Sequence, residues 1–202
     1  ESTRIVYTSD HGDNLGTRGL WGKSTMYEES VGVPMIMAGP EVPSGVVCRE
    51  PVSLVDSFPT ILGCVGLQQD PNDRDLPGAP LMDVVAGRAA PRTVMSEYHA
   101  AGAAAATFMI RLGSFKYVHY VGMPSQLFNL ATDPYETRDL GQDPGYRVVV
   151  GEAEAALRKV VDPEAALRPD APRLEPTGNV ISRWKIRKGD TEAGFREAAV
   201  VV

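Results

Sequence analysis

The sequence predicts a mixed α/β enzyme core followed by a smaller antiparallel subdomain. Three observations carry that expectation. The apolar run Arg4-Ile5-Val6-Tyr7-Thr8 stops abruptly at Ser9-Asp10-His11-Gly12, as a buried strand does when its C-terminal end faces a ligand. A second apolar run, from Pro34 to Ala38, closes at Gly39-Pro40. Thr107–Leu112, Phe115–Tyr120 and Gln126–Leu130 then follow with only Gly113-Ser114 and Gly122-Met123-Pro124 between them, the pattern of a meander.

No Met, leader or helix precedes the Arg4–Thr8 strand, and a parallel strand needs neighbours from βαβ units. The expectation is therefore the C-terminal portion of a longer protein, and the missing leader says little about compartment. Met26 to Ser30 reads as a short helix broken by Gly32 and Pro34. Leu54, Val55, Phe58, Ile61, Leu62 and Val65 recur at helical spacing, with Pro59 placed for a first turn. Gln68 to Pro80 is a loop rich in Asp, Asn, Pro and Gly, and Leu81 to Val85 a short helix ending at Gly87. Thr93 to Ser96 resumes a strand. It should share one buried sheet with the first two, because each is apolar on both faces. Ala100 to Ala106 is a flexible loop or tight packing element. Glu152 to Val161 has the helix formers for an amphipathic helix across the meander. Val180 to Ile186 is a candidate last strand in a tail rich in Pro and charge. The resulting division is a core over residues 1–106, an antiparallel subdomain over 107–162 and a tail over 163–202.

Composition narrows the function. The 202 residues are 43% hydrophobic and 23% charged, an ordinary globular balance that argues against disorder. The net charge of -6 gives no basic surface for nucleic acid, so no nucleic-acid partner is expected, although a local cation can still hold an anionic substrate. No apolar run approaches a membrane span, and Ala103–Ala106 is far too short. Cys48 and Cys64 form no CxxC motif and are expected to be reduced, buried and inert.

The chemistry concentrates at Asp10 and His11. A turn acid beside a solvated histidine is the plain interpretation of such a pair. Ser9, Gly12, Gly16 and Lys23 in the same short loop change it, since the glycines permit close backbone approach and the strand fixes the carboxylate. A carboxylate beside an imidazole makes half of a divalent-metal site, and Lys23 adds a point charge suited to an oxyanion. His99, after Ser96-Glu97-Tyr98, either reaches this pocket from a neighbouring strand or bonds a loop carbonyl. His119, Tyr117, Tyr120, Phe128 and Trp184 read as packing residues, and Asp133 before Pro134 as a turn cap.

Thr8-Ser9-Asp10-His11-Gly12-Asp13, Gly19-Leu20-Trp21-Gly22-Lys23 and Tyr27-Glu28-Glu29-Ser30-Val31-Gly32-Val33-Pro34 together resemble the C-terminal half of type I sulfatases, in the alkaline phosphatase superfamily. The SDHG form resembles the branch of choline sulfatases and phosphonate monoester hydrolases. Leu76 to Gly87 parallels the family's G-x-SL…L-x-G segment. Leu127-Phe128-Asn129-Leu130-Ala131-Thr132-Asp133-Pro134-Tyr135-Glu136, continuing to Asp139-Leu140, follows its L(Y/F)(D/N)LxxDPxExxxL signature. The likeness covers about residues 4 to 160.

That resemblance implies an alkaline phosphatase-like mixed sheet core and a hydrolase of a sulfate, phosphate or phosphonate ester. It places metal binding on Asp10 and His11, with Ca²⁺ expected and Mn²⁺ next because an imidazole replaces an amide. It places Lys23 on the sulfate and the leaving oxygen, with His99 as a second candidate there. The family nucleophile is a formylglycine from a Cys-x-Pro/Ala-x-Arg motif. Cys48 before Arg49-Glu50-Pro51 and Cys64 before Val65-Gly66-Leu67 do not match it, so formylglycine and the remaining metal ligands are expected from an N-terminal portion of the same protein. A phosphonate or phosphodiester hydrolase is the alternative within enzymes; the GLWGK…YEES segment argues against a mutase-like member. A non-catalytic fragment serving as a binding or oligomerisation module is the alternative outside them. A choline-type substrate would require an acidic or aromatic cage, for which Glu29, Glu97 and Tyr98 are candidates. A homo-oligomer in the cytoplasm completes the expectations.

Overall fold

The meander folds where the turn residues place it. In the computed structural model, described over residues 3–73, 75–100 and 102–167, strands β4 (Thr107–Leu112), β5 (Phe115–Tyr120) and β6 (Gln126–Asn129) pair antiparallel in sequence order. Leu112 pairs with Phe115 across a two-residue turn, and Gly113 takes the positive φ of 58° that such hairpins require. A fourth strand, β3 (Val94–Tyr98), adds to the free edge of β4 in register from Val94↔Arg111 to Tyr98↔Thr107.

Helix α4 (Arg147–Val160) crosses one face of this sheet. Phe108, Ile110, Tyr117, Leu127, Leu140, Ala153 and Leu157 form the principal core there. Side chains alternate across a strand, so the residues between them face the other way. On that second face Met109 and Val118 pack on Met26, and the Phe128 ring lies 6.0 Å from Tyr27. The segment around helix α1 (Glu28–Val31) thus covers the sheet opposite α4. The sheet thus lies between α4 and the segment around α1.

Strands β1 (Ile5–Thr8) and β2 (Met35–Ala38) form a separate two-stranded antiparallel ribbon, paired from Ile5↔Ala38 to Thr8↔Met35. One expectation is corrected here: among the described residues the Thr93–Ser96 strand pairs with β4 in a sheet separate from the first two strands. In this chain by itself Ile5 and Tyr7 of β1 are 60% and 62% exposed. A period-two pattern reports that a strand exists; its pairing partner is a tertiary choice.

Helix α2 (Ser57–Cys64) follows a 3₁₀ turn and has Pro59 in its first turn, as expected; α3 (Leu81–Val85) packs beside it. The fully buried Asp56 carboxylate accepts from the amides of Ser53 (2.8 Å) and Ala79 (2.9 Å) and from Nη1 of Arg92 (2.6 Å). One carboxylate therefore ties α2, the loop after it and the approach to β3. Cys48 is exposed and Cys64 half-buried, both free, which corrects the expectation of buried thiols. Cys48 lies in the extended segment after β2 and Cys64 in the last turn of α2, where no core closes over either. Among the described residues no helix is long and apolar enough to cross a membrane. The candidate strand Val180–Ile186 and Trp184 lie outside the described residues.

Candidate functional site

The loop leaving β1 is held by its own backbone. Ser9 Oγ donates to the His11 carbonyl at 2.7 Å, and the His11 amide donates to Asp10 Oδ1 at 3.0 Å. His11 Nδ1 lies 2.7 Å from the Gly12 carbonyl. A carbonyl only accepts, so Nδ1 is the donor in that contact. Nε2 sits 3.5 Å from Asp10 Oδ2. An imidazole with one nitrogen anchored to a carbonyl, next to an exposed carboxylate, is a donor set suited to half of a metal site.

Gly12 explains how the loop docks. Its amide donates to the Ser30 carbonyl at 2.7 Å, and a Cβ on it would stand 2.0 Å from the Glu29 carbonyl oxygen. Only glycine fits. Farther along, the buried Asn14 receives no side-chain freedom: its amide and Nδ2 both donate to the Gly22 carbonyl, at 2.9 and 2.5 Å. Thr25 Oγ1 donates to Asn14 Oδ1 at 3.3 Å and lies 2.9 Å from Ser30 Oγ. Lys23, half-buried and adjacent to Gly22, is thereby fixed to the same loop as Asp10 and His11. Leu15 and Arg18, at φ 48° and 56°, hold left-handed conformations costly for non-glycine residues within this stretch.

His99 follows β3 and packs on the same sheet face as Phe108, which α4 covers. Tyr98 Oη lies 2.9 Å from Ser24 Oγ, which joins the end of β3 to the residue after Lys23. The His99 ring packs on Phe108 with centroids 4.7 Å apart, and Nε2 lies 3.4 Å from Glu97 Oε2. Its buried Nδ1 has no hydrogen-bond partner among the described residues, so the loop-carbonyl alternative is not what the structure shows. Glu29, a candidate cage residue, is engaged by Arg18, whose Nη1 donates to both its oxygens at 2.8 Å. The Arg18 guanidinium also stacks 4.1 Å over the Tyr27 ring.

The packing assignments are observed for Tyr117 and Phe128, both buried. Burial raises the Tyr117 phenol, and it pushes that of Tyr120, whose hydroxyl donates to Gln126 Oε1, up to about 12. His119 rests in the sheet, with Nε2 3.7 Å from Glu164. Asp133 caps its turn: Oδ1 accepts from the amide and hydroxyl of Thr137, and Oδ2 from the Arg138 amide. Those bonds to the ionised form lower its pKa.

Sequence reasoning missed a buried ionic cluster. Lys116 Nζ, fully buried, lies 2.8 Å from Glu136 Oε1 and 2.9 Å from Glu28 Oε1. Glu136 Oε2 accepts from the Glu28 amide, the first of α1, at 2.7 Å. A lysine inside the apolar run Phe115-Lys116-Tyr117-Val118 was the available signal, together with Glu136 in the DPxE signature.

The pair Asp10–His11 supplies two donors, and among the described residues no group of three or more His, Cys, Asp or Glu is arranged to hold a metal. The residues present fit half of a divalent site. They do not fit the formylglycine motif, for neither cysteine has the required neighbours.

Residues 16–162 match the family model described as N-sulphoglucosamine sulphohydrolase, C-terminal. The chain is 36% identical over 166 residues to arylsulfatase K of Danio rerio, covering 79% of this chain and 31% of that protein. It is 37% identical over 144 residues to the choline-sulfatase of Rhizobium meliloti, covering 71% and 28%. Among solved structures it superposes on a 2-O GAG sulfatase with TM-score 0.66 at 27% identity, covering 78% of this chain and 36% of that one. It superposes on the phosphonate monoester hydrolase of Silicibacter pomeroyi with TM-score 0.65 at 29% identity, covering 78% and 34%. The chain spans about a third of the length of the curated relatives it matches.

Proposed function

The chain belongs to the sulfatase family, and from that premise we propose that the full-length protein carrying it hydrolyses sulfate esters, with Asp10, His11 and Lys23 as this chain's share of the site. The observation that carries the proposal is the anchored imidazole. The 2.7 Å contact to the Gly12 carbonyl leaves His11 Nε2 as a donor beside the Asp10 carboxylate. A divalent cation bound there, Ca²⁺ or Mn²⁺, would neutralise the non-bridging oxygens of the ester. Asp10 and His11 hold that position rigidly, because their loop is bonded to α1 and to itself. Lys23 sets a positive charge where the leaving oxygen becomes negative, and preorganised charge acts most strongly there. The nucleophile is supplied by the portion that the longer relatives contain and this chain does not.

Asp10→Ala in the full-length protein should remove bound metal by elemental analysis and abolish turnover; unchanged metal stoichiometry would refute the ligand assignment. Lys23→Ala should cost about a hundredfold for alkyl esters, and markedly less for an activated aryl ester. Equal losses would refute its leaving-group role. The likeness to phosphonate monoester hydrolase supports a second reading, hydrolysis of phosphonate esters by the same groups. Comparing kcat/KM on a sulfate and a phosphonate monoester decides between them.

A further inference from the structure

We propose that Glu136 is a positioning residue for the Asp10–His11–Lys23 loop, acting at a distance through Lys116 and helix α1. The inference rests on the hydrolase reading of that loop, and is tested below by a measurement independent of it.

Glu136 adopts φ 51°, a left-handed conformation that disfavours any side chain but glycine, and its carboxylate is completely buried. Lys116, equally buried, is also desolvated. A hydrophobic pair would fill the same space without either desolvation penalty, so packing alone does not account for the arrangement. What the two charges do achieve is directional. One Glu136 oxygen faces Lys116 at 2.8 Å and the other accepts the α1 amide of Glu28 at 2.7 Å. Glu28 returns its own carboxylate to Lys116 at 2.9 Å. A single four-residue turn of helix is too short to be stable by itself, and this clamp fixes its start against the sheet.

From α1 two bonds lead into the site. The Ser30 carbonyl accepts the Gly12 amide at 2.7 Å, next to His11. The Ser30 hydroxyl meets Thr25, which donates to Asn14, which holds Gly22 beside Lys23. Both ends of the loop therefore take their position from the same turn. Glu136 touches none of the reacting groups, and it sets where they stand.

The test uses the full-length protein with two substitutions. Glu136→Gln keeps an acceptor for the Glu28 amide but removes the charge facing Lys116. Thr25→Val deletes one hydroxyl at the far end of the link and carries the test should Glu136→Gln fail to fold. Amide hydrogen exchange is followed at Gly12–Asn14 and, as an internal reference, along the β4–β5 ladder; Mn²⁺ affinity is measured by calorimetry. Exchange at Gly12–Asn14 should rise about tenfold in either variant with the ladder unchanged. Mn²⁺ should bind about ten- to a hundredfold more weakly, as when an outer-shell partner is lost. Unchanged exchange at Gly12–Asn14, or a rise shared equally by the ladder, overturns the proposal. A wild-type protein that binds no Mn²⁺ or Ca²⁺ while its loop still responds upholds the positioning link and overturns the hydrolase reading instead.

Discussion

Replacing Gly12 by alanine should damage the site far out of proportion to one methyl group. The added Cβ would stand 2.0 Å from the Glu29 carbonyl oxygen, 3.0 Å from its carbon and 3.5 Å from Ser30 Cα, all of them backbone atoms that no rotamer change can move. Reaching ordinary contact requires the loop and α1 to separate by about 1–1.5 Å. The 2.7 Å bond from the Gly12 amide to Ser30 then exceeds hydrogen-bonding distance. Overpacking and the lost bond together cost about 2–3 kcal/mol, which lowers Tm by about 5–10 °C in a domain of this size. The same shift carries His11 away from its position, and a displacement of about 1 Å costs on the order of a hundredfold in turnover. Calorimetric melting and steady-state kinetics of the full-length protein measure both quantities. Gly63→Ala is the control: it lies within α2 with nothing inside 4 Å of its Cβ, and should leave Tm unchanged or slightly raised. A Gly12→Ala protein that melts and turns over like the wild type would refute the reasoning.

Tyr120, raised to about 12 by burial, stabilises the fold fully below the unfolded phenol value near 10 and loses that contribution as pH rises through its folded value. Denaturant midpoints should fall between pH 10 and 12, and Tyr120→Phe should flatten that fall; an unchanged slope would count against the assignment. Leu157, fully buried between α4 and the sheet, should cost about 3 kcal/mol as alanine in urea unfolding, and a loss below 1 kcal/mol would mean that α4 is not the cover of that face.

What was legible in the sequence was local. Gly113-Ser114 and Gly122-Met123-Pro124 mark the turns of the meander, and β4 and β5 begin and end where those residues and the apolar runs place them. Pro59 marks the first turn of α2 for the same reason. The start of α4 was not legible: Arg147-Val148-Val149-Val150 is rich in β-branched residues, yet it is helical because Val149 and Val150 pack on the core and Asp143 caps the preceding turn. The pairing of β3 with β4 joins segments across the Ala100–Ala106 stretch, and no short window of sequence contains that choice of partner. At the site, Asp10, His11 and Lys23 stood out through residue type and shared loop. Glu136 and Lys116 did not, since a carboxylate and a lysine in separate segments disclose nothing until the sheet brings them together.

The clamp on α1 also has a place in time. The Glu28 amide and the Glu136 carboxylate are 108 positions apart in sequence. A ribosome adding about 5–20 residues per second would need roughly 5–20 s between synthesising the first and the second. Throughout that interval α1 lacks its anchor, and Asp10, His11 and Lys23 occupy a tethered but unset loop. The nascent site thus matures last-to-first, waiting on the strand and turn that emerge near the end of the described chain. A ribosome stalled before residue 136 would display the whole loop sequence without its geometry.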